Sequence, residues 1–446
     1  MIAAMTHDLE DDPQDWHYAP SGTLHGALQR GHGIAVIKLR RDREQAGLVY
    51  ACTSRDTRWD WQVDDRYTYL ARLLRDLHLD PAPLITQLHA CGPRLSWPHR
   101  DPADDHNQFN LAVGILEALA RTGNEQAREA LREYVHDGAR WIDVLQTLTH
   151  EWPVEWWDDL WETAAARIHP DDTMRLFPNS QPWQRWHGRD PRLDAVLNAA
   201  RSARPPGPDH RTILAEASDA ELIALLRTPG TDRDTIAFAL RQIRRRSYPM
   251  PELLDVVEQL APTRPPGLRS TLFSLGPLIA PPARTWATDP DHPLFPDAAY
   301  LLAKHGDEQD IPLLLTAVDE LTHSGQWCGY DQLAEGLARI LAPLPPTTHT
   351  DSRTRLIRRL RSLAFASPHT YERASHLRSL LLLDPDNTRN ALPIFLLDCE
   401  PDVRHLAAQH TSLITDDAHQ WLTELRDDPI ENNDIKHTAT QRITLA

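Results

Sequence analysis

The chain has 446 residues, 41% hydrophobic and 25% charged, a balance that excludes a disordered polymer and fits globular packing. Its formal net charge of −17 repels phosphate backbones and acidic lipid, so nucleic-acid binding is disfavoured unless a local basic groove overrides that field. No stretch approaches roughly 18 consecutive apolar residues, so no membrane span is expected.

Residues 1–44 read as a mixed N-terminal segment. Its acidic start (Asp8, Glu10, Asp11, Asp12, Asp15) lacks the basic-then-apolar pattern of a signal peptide, and the cytoplasm is the expected location. A turn at His32 and Gly33 opens an apolar run over residues 33–39, which has the composition of one short strand but no partner strand nearby. Helical repeats are expected over residues 45–204. Tyr67, Leu70, Ala71, Leu74 and Leu77 form one apolar stripe after a turn at residues 56–60, and a polar loop is expected at residues 98–105. Phe109, Val113, Leu116 and Ala120 form the next stripe, and Ala127, Leu131 and Tyr134 follow the Gly123-Asn124 break. After Pro153, the residues Val154, Trp157, Trp161, Ala164 and Ile168 share one side of a predicted helix. Residues 171–192 then interrupt the pattern with prolines around Trp183 and Trp186.

The proline-rich stretch 205–208 marks a break, since no helix runs through it. Further repeats are expected over residues 209–430, opening at Ser218-Asp219-Ala220-Glu221, which has the pattern of a helix N-cap. Stripes recur at Leu253, Leu254, Val257 and Leu260, at Leu313, Leu314, Ala317 and Leu321, and at Leu356, Ile357, Leu360 and Leu363. Residues 431–446 read as a polar tail that frays.

A helix-pair signature ties these stripes together. Ala118-Leu119-Ala120 runs into Gly123-Asn124-Glu125, Leu301-Leu302-Ala303 runs into Gly306-Asp307-Glu308, and Leu382-Leu383-Asp384-Pro385-Asp386-Asn387 is a looser copy. Each copy is a helix, a short polar turn and a second helix, a unit that buries its apolar face only by stacking on its neighbours. Together with Pro401-Asp402-Val403-Arg404 and Leu406-Ala407-Ala408, these segments resemble HEAT repeats of the armadillo-like class over roughly half the chain. The resemblance implies an all-α fold, a right-handed α-solenoid of stacked antiparallel helix pairs, whose concave surface binds a partner; it implies no reaction. Lysine occurs only at positions 38, 304 and 436, and this preference for arginine resembles the coding bias of a GC-rich, actinobacterial chromosome.

Two groups of residues are candidates for partner binding. Trp152 and Trp156 lie off the apolar stripe beside Glu155 and Asp159, and an acidic, aromatic concavity suits a basic peptide or a cationic group. Arg355, Arg358 and Arg359 lie in an arginine-rich helix able to hold phosphate or an acidic peptide, with a solvated helix face as the rival reading. The same rival applies to Arg241, Arg244, Arg245 and Arg246, at a helix end where cations are favoured. His99, His106, Asp101, Asp104 and Asp105 share one loop but lack metal-ligand spacing, and Cys52, Cys91, Cys328 and Cys399 show no Cys-x-x-Cys pattern. No phosphate loop, dinucleotide fingerprint or nucleophile motif occurs, so no catalytic residue, metal or cofactor is assigned. The expected function is a non-enzymatic scaffold or adaptor for a protein or peptide partner. The alternative is a HEAT-like nucleic-acid-binding protein or alkylpurine DNA glycosylase, which would need a continuous basic inner surface.

Overall fold

A computed structural model describes residues 18–54, 65–92, 106–203, 217–413 and 415–445. The acidic start, the turn at 56–60, the loop at 98–105 and the break at 205–208 lie outside the described residues. All regular elements among the described residues are helical, as an all-α chain requires. The first group comprises α1 (Leu24–Gln29), α2 (Gly33–Arg41), α3 (Gly47–Thr53), α4 (Arg66–Asp76), α5 (Ala82–Ala90), α6 (His106–Arg121), α7 (Glu125–Asp137) and α8 (Trp141–Glu151). There follow α9 (Trp161–Arg167), α10 (Trp183–Trp186), α11 (Pro191–Ala203), α12 (Asp219–Arg227), α13 (Arg233–Arg244), α14 (Leu254–Leu260), α15 (Leu268–Leu272), α16 (Ala280–Trp286) and α17 (Phe295–His305). The last are α18 (Ile311–His323), α19 (Tyr330–Leu341), α20 (Thr350–Ala366), α21 (Arg373–Leu383), α22 (Pro385–Ala391), α23 (Pro401–His410), α24 (Asp416–Asp427) and α25 (Asn433–Leu445).

The chain forms two compact units: residues 1–205, 365–371 and 389–446 make unit 1, and residues 206–364 and 372–388 make unit 2.

Unit 1 draws its core from both ends of the sequence. The apolar run expected as a strand is helix α2, which buries Ala35, Val36, Ile37 and Leu39. With no strand among the described residues to pair with, α2 packs instead on the 3-10 segment Leu392–Leu397, so tertiary contact overrides local preference. Close approach depends on two glycines. A Cβ on Gly33 would overlap the Ile394 carbonyl oxygen, and one on Gly31 would overlap Cys399 Sγ. The Cys399 N–H donates to the Gly31 carbonyl at 2.8 Å. Arg30 donates to the Ala366 carbonyl at 2.7 Å, tying in the short insert 365–371.

The stretch expected to fray is also helical. Helix α25 buries Ile435 and Ala439, and Glu431 just before it pairs with Arg404 at 2.7 and 2.8 Å. Both side chains are at most 3% exposed. Arg404 is the arginine of the Pro-Asp-Val-Arg segment, and it also donates to the carbonyls of Asp398 and Cys399. Arg72 reaches Asp428 at 2.5 Å and Glu431 at 3.3 Å, while Arg75 reaches Asp428 at 2.7 Å. Burial works against these charges, but Arg404 and Arg72 hold the Glu431 carboxyl below the usual carboxylate range.

The tryptophan-rich region also contributes to this core. Residues 171–192 do interrupt regular helix, yet Trp183 and Trp186 within them are fully buried. Trp157 and Trp183 both meet Trp186 edge-to-face at 5.9 Å, and Trp141 meets Trp183 at 6.5 Å. Such aromatic contacts add about 0.5–1.5 kcal/mol each beyond the area they bury.

In unit 2, four pairs of helices two places apart in sequence lie side by side. Helix α12 contacts α14, α13 contacts α15, α17 contacts α19, and α19 contacts α21; the 3-10 segment Phe273–Ile279 bridges α15 and α17. Helices α16, α18 and α12 pack across to α17, α19 and α13, so in these three pairs sequence neighbours bury a face on one another. Helix α12 begins at Ser218 with a capping box: Ser218 Oγ accepts from Glu221 N–H, and the Glu221 carboxylate accepts from Ser218 N–H. The Gly306-Asp307 turn is built likewise, with the Asp307 and Asp310 side chains accepting backbone N–H groups ahead of α18.

Candidate functional site

Pro153 ends the run of α8, and residues 154–160 form two short 3-10 turns joined at Trp157, whose φ of −141° and ψ of −11° break helical continuity. The single helical stripe expected after Pro153 is therefore divided. Trp157 is core, and so is Trp152, at 4% exposure. Trp156 is half-buried, and Glu155 and Asp159 are exposed. The Arg128 guanidinium lies 5.2 Å from the Trp156 ring centroid. Arg132 pairs with Asp159 at 2.6 Å and donates to the Trp156 carbonyl. The hydrogen bond from Arg132 holds the Asp159 carboxyl below the usual carboxylate range, against partial desolvation. Cations of the chain itself thus occupy the positions where a cationic ligand would sit.

The arginines of α20 are tied down in the same way. Arg355 pairs with Asp319 of α18, and Arg361 pairs with Asp384. Arg359 stands 5.4 Å from the Tyr330 ring centroid and donates to its hydroxyl at 3.2 Å. Arg353 donates to the Leu341 carbonyl at 2.7 Å, where it satisfies the C-terminal end of α19. Arg358 is exposed and has no hydrogen-bond or ion-pair partner among the described residues. Of Arg355, Arg358 and Arg359, only Arg358 presents a free charge.

Three hollows offer more. The first, about 600 Å³, lies in unit 1 and is lined by Arg40, Arg72, Arg75 and Arg404 together with Asp76, Glu424 and Asp428. Arg40 pairs with Asp76 at 3.0 Å and with Glu424 at 2.9 Å, and the other three arginines pair with Asp428 or Glu431. The charge of these four is engaged in holding unit 1 together, while Arg43, exposed at the edge of the hollow, has no ion-pair partner among the described residues.

The other two lie in unit 2 and share Tyr300. One, of about 1090 Å³, has Phe295, Ala299, Leu313, Ala317 and Leu321 as its apolar wall, with Glu320 and His323 at its edge. The other, of about 630 Å³, runs across α17, α19 and α21. Its floor follows from small residues: a Cβ on Gly336 would overlap the Ala303 carbonyl oxygen, so α17 and α19 cross almost backbone to backbone. Long side chains rise around this crossing, namely Lys304, Glu335, Arg339 and Arg378. Arg339 donates to the Ala303 and Gly306 carbonyls at 3.0 and 2.8 Å, and Arg378 pairs with Glu335 at 2.5 Å. Lys304 has no hydrogen-bond or ion-pair partner among the described residues.

Beside this hollow, which Ser379 helps to line, Glu372, His376 and Ser379 succeed one another at helical spacing. Glu372 accepts the N–H groups of Gly329 and Tyr330 at 2.5 and 3.1 Å, and burial pushes its carboxyl up to about 7 despite them. His376 Nε2 lies 3.8 Å from Glu372 Oε2. Acid, imidazole and hydroxyl in that order would make a nucleophile only if the imidazole accepted the hydroxyl proton. Ser379 Oγ is buried and has no hydrogen-bond partner among the described residues, so that relay is not assembled there.

Among the described residues, no group of three or more His, Cys, Asp or Glu side chains is placed to hold a metal. His99, Asp101, Asp104 and Asp105 lie outside them, as does the side chain of His106. Cys52, Cys91 and Cys399 are buried, Cys328 is half-buried, and none of the four joins a disulfide. No helix of the described residues is long and apolar enough to cross a membrane. The hollows beside Tyr300 were not foreseen from periodicity; the signals were the rare Lys304 and the small residues Ala303 and Gly336 at matching helix positions. Comparison with protein-family models, curated proteins and solved structures found no match.

Proposed function

We propose that this protein is a non-enzymatic interaction scaffold that holds a partner protein or peptide in the groove running past Tyr300 in unit 2. The observation that carries this reading is the pair of adjoining hollows, about 1090 and 630 Å³, that share one aromatic side chain on successive helices. Stacked helix pairs of HEAT-like type favour such a groove, because each added pair extends the same surface. An apolar wall with a few charged groups at its rim suits an extended or helical segment, with affinity concentrated in a few anchors. The fixed positions of Tyr300, beneath the Arg269 guanidinium at 5.1 Å, and of the α17–α19 crossing mean little ordering is needed on binding.

A photo-crosslinking side chain at Leu382 or Thr316 in the full chain, expressed in its native cells, tests the reading. Leu382 is 57% exposed at one hollow, Thr316 is exposed at the other, and Met174 of unit 1, 70% exposed, is the control. The expected result is one protein captured stoichiometrically from both unit 2 positions and not from Met174. Capture equal at all three positions, or none, would overturn it. Retention of duplex DNA at low salt, reduced by the same substitutions, would favour the nucleic-acid alternative instead.

A further inference from the structure

Resting on that scaffold reading, we propose that the hollow across α17, α19 and α21 selects an acidic peptide segment, with carboxylates meeting Lys304, Arg339 and Arg378 and an apolar side chain settling against Tyr300 and Leu382. The sign of the site points to carboxylates. Its lining carries three cations and one carboxylate, Glu335, in a chain whose net charge is −17. In the unit 1 hollow, Arg40, Arg72, Arg75 and Arg404 are each paired with at least one carboxylate, Asp428 and Glu431 being shared, and only Arg43 at its edge has no ion-pair partner among the described residues; in the unit 2 hollow Lys304 has none either.

These cations are also available to a ligand. Arg378 and Glu335 are 49% and 44% exposed, and an exposed pair of this kind contributes little, so a ligand carboxylate replaces Glu335 with small loss. Arg339 uses one nitrogen for the last carbonyls of α17 and is exposed. The neighbouring imidazole registers the same field: burial lowers the His305 pKa, its hydrogen bond with the Phe273 carbonyl opposes this, and Lys304 and Arg339 lower it further.

The apolar part of the wall separates a peptide from a nucleic acid. Phe273, Tyr300 and the exposed Leu382 line the hollow together with the cations, so carboxylates and an aliphatic side chain on one short segment satisfy both kinds of wall. A sugar–phosphate backbone offers no aliphatic side chain to fill an apolar hollow and meets the repulsion of the whole chain.

The test uses the full chain, a fluorescein-labelled peptide alternating glutamate with leucine, and the same peptide with lysine in place of glutamate. Fluorescence anisotropy is expected to show salt-sensitive binding of the glutamate peptide and none of the lysine peptide. K304E/R378E is expected to weaken glutamate-peptide binding by about tenfold or more, since charge reversal replaces attraction with repulsion. Circular dichroism melting checks that the double variant folds, and K304Q, which alters one unpartnered side chain, serves if it does not. Equal binding of the two peptides, or of wild type and variants, would overturn the proposal. Absence of glutamate-peptide binding while Leu382 still crosslinks the cellular partner refutes the acidic class alone; loss of both refutes the scaffold reading as well.

Discussion

Unit 1 turns three of its arginines inward and pairs them: Arg72 meets Asp428 across 356 residues of sequence, Arg75 meets the same carboxylate, and Arg404 of α23 meets Glu431 just ahead of α25. Unit 2 does the reverse at its groove, where small residues let α17 and α19 touch and long cations stand around the crossing with one carboxylate between them. Of its buried carboxylates, Asp297 and Asp310 meet arginines, whereas Glu372 is held by backbone N–H groups. A charge already paired inside a fold contributes to specifying that fold and has little left for a ligand, whereas an unpaired charge beside an apolar hollow is available for recognition.

The sharpest way to break this contrast is to remove what unit 1 alone possesses. Trp186→Ala empties a fully buried ring site contacted by Trp157 and Trp183 and should cost about 3–5 kcal/mol. Urea denaturation with intrinsic fluorescence would show it, and a cost below about 1 kcal/mol would mean the cluster is not core.

Glu431→Ala should cost about 3–5 kcal/mol as well, because it strands the buried Arg404 charge. Replacing both partners with apolar residues of similar volume, as in R404M/E431L, should recover most of the loss. Failure of that recovery would show that the pair does more than neutralise itself.

In unit 2 the matching experiment is a titration. Burial raises the Glu372 carboxyl from 4.5 to about 7, so its stabilising contribution is present below pH 4.5 and is lost as pH rises through 7. Glu372→Gln removes that dependence. The stability of wild type relative to this variant should therefore fall by about 3 kcal/mol between pH 4.5 and pH 8, since each tenfold change in an ionisation constant is worth about 1.4 kcal/mol. Urea midpoints that move in parallel for the two proteins would contradict it.

The smallest effect is expected at Ser379. Its buried hydroxyl lacks a partner among the described residues, so Ser379→Ala should leave stability within about 1 kcal/mol of wild type or slightly raise it. A larger loss would reveal a hydrogen bond made by that hydroxyl.

Helical character was legible wherever apolar residues recur at 3.6-residue spacing and a polar cap precedes them, as at Ser218 and at Asn124, whose side chain accepts the Ala127 N–H at 2.9 Å. Local pattern failed where the deciding partner is remote in sequence. Residues 33–39 resemble a strand until Ile394 and Leu397 are seen to cover Gly33, and residues 431–445 look like a loose tail until Arg404 supplies the counter-charge for Glu431. Trp152 has acidic neighbours in sequence, yet the change of direction at Pro153 and Trp157 puts it in the core. The arginines of α20 have the composition of an anion site, but Asp319, Tyr330 and Asp384, each on another helix or turn, engage three of them. Lys304, Ala303, Gly336 and Arg378 show no single motif, because only the crossing of α17, α19 and α21 brings them together.

Hydrogen–deuterium exchange of the full chain, with and without the partner captured by crosslinking, tests the proposed groove most directly. Slowed exchange concentrated in α17, α19 and α21, with residues 152–159 unchanged, is the predicted result. Protection centred on residues 152–159, or spread evenly over both units, would contradict it.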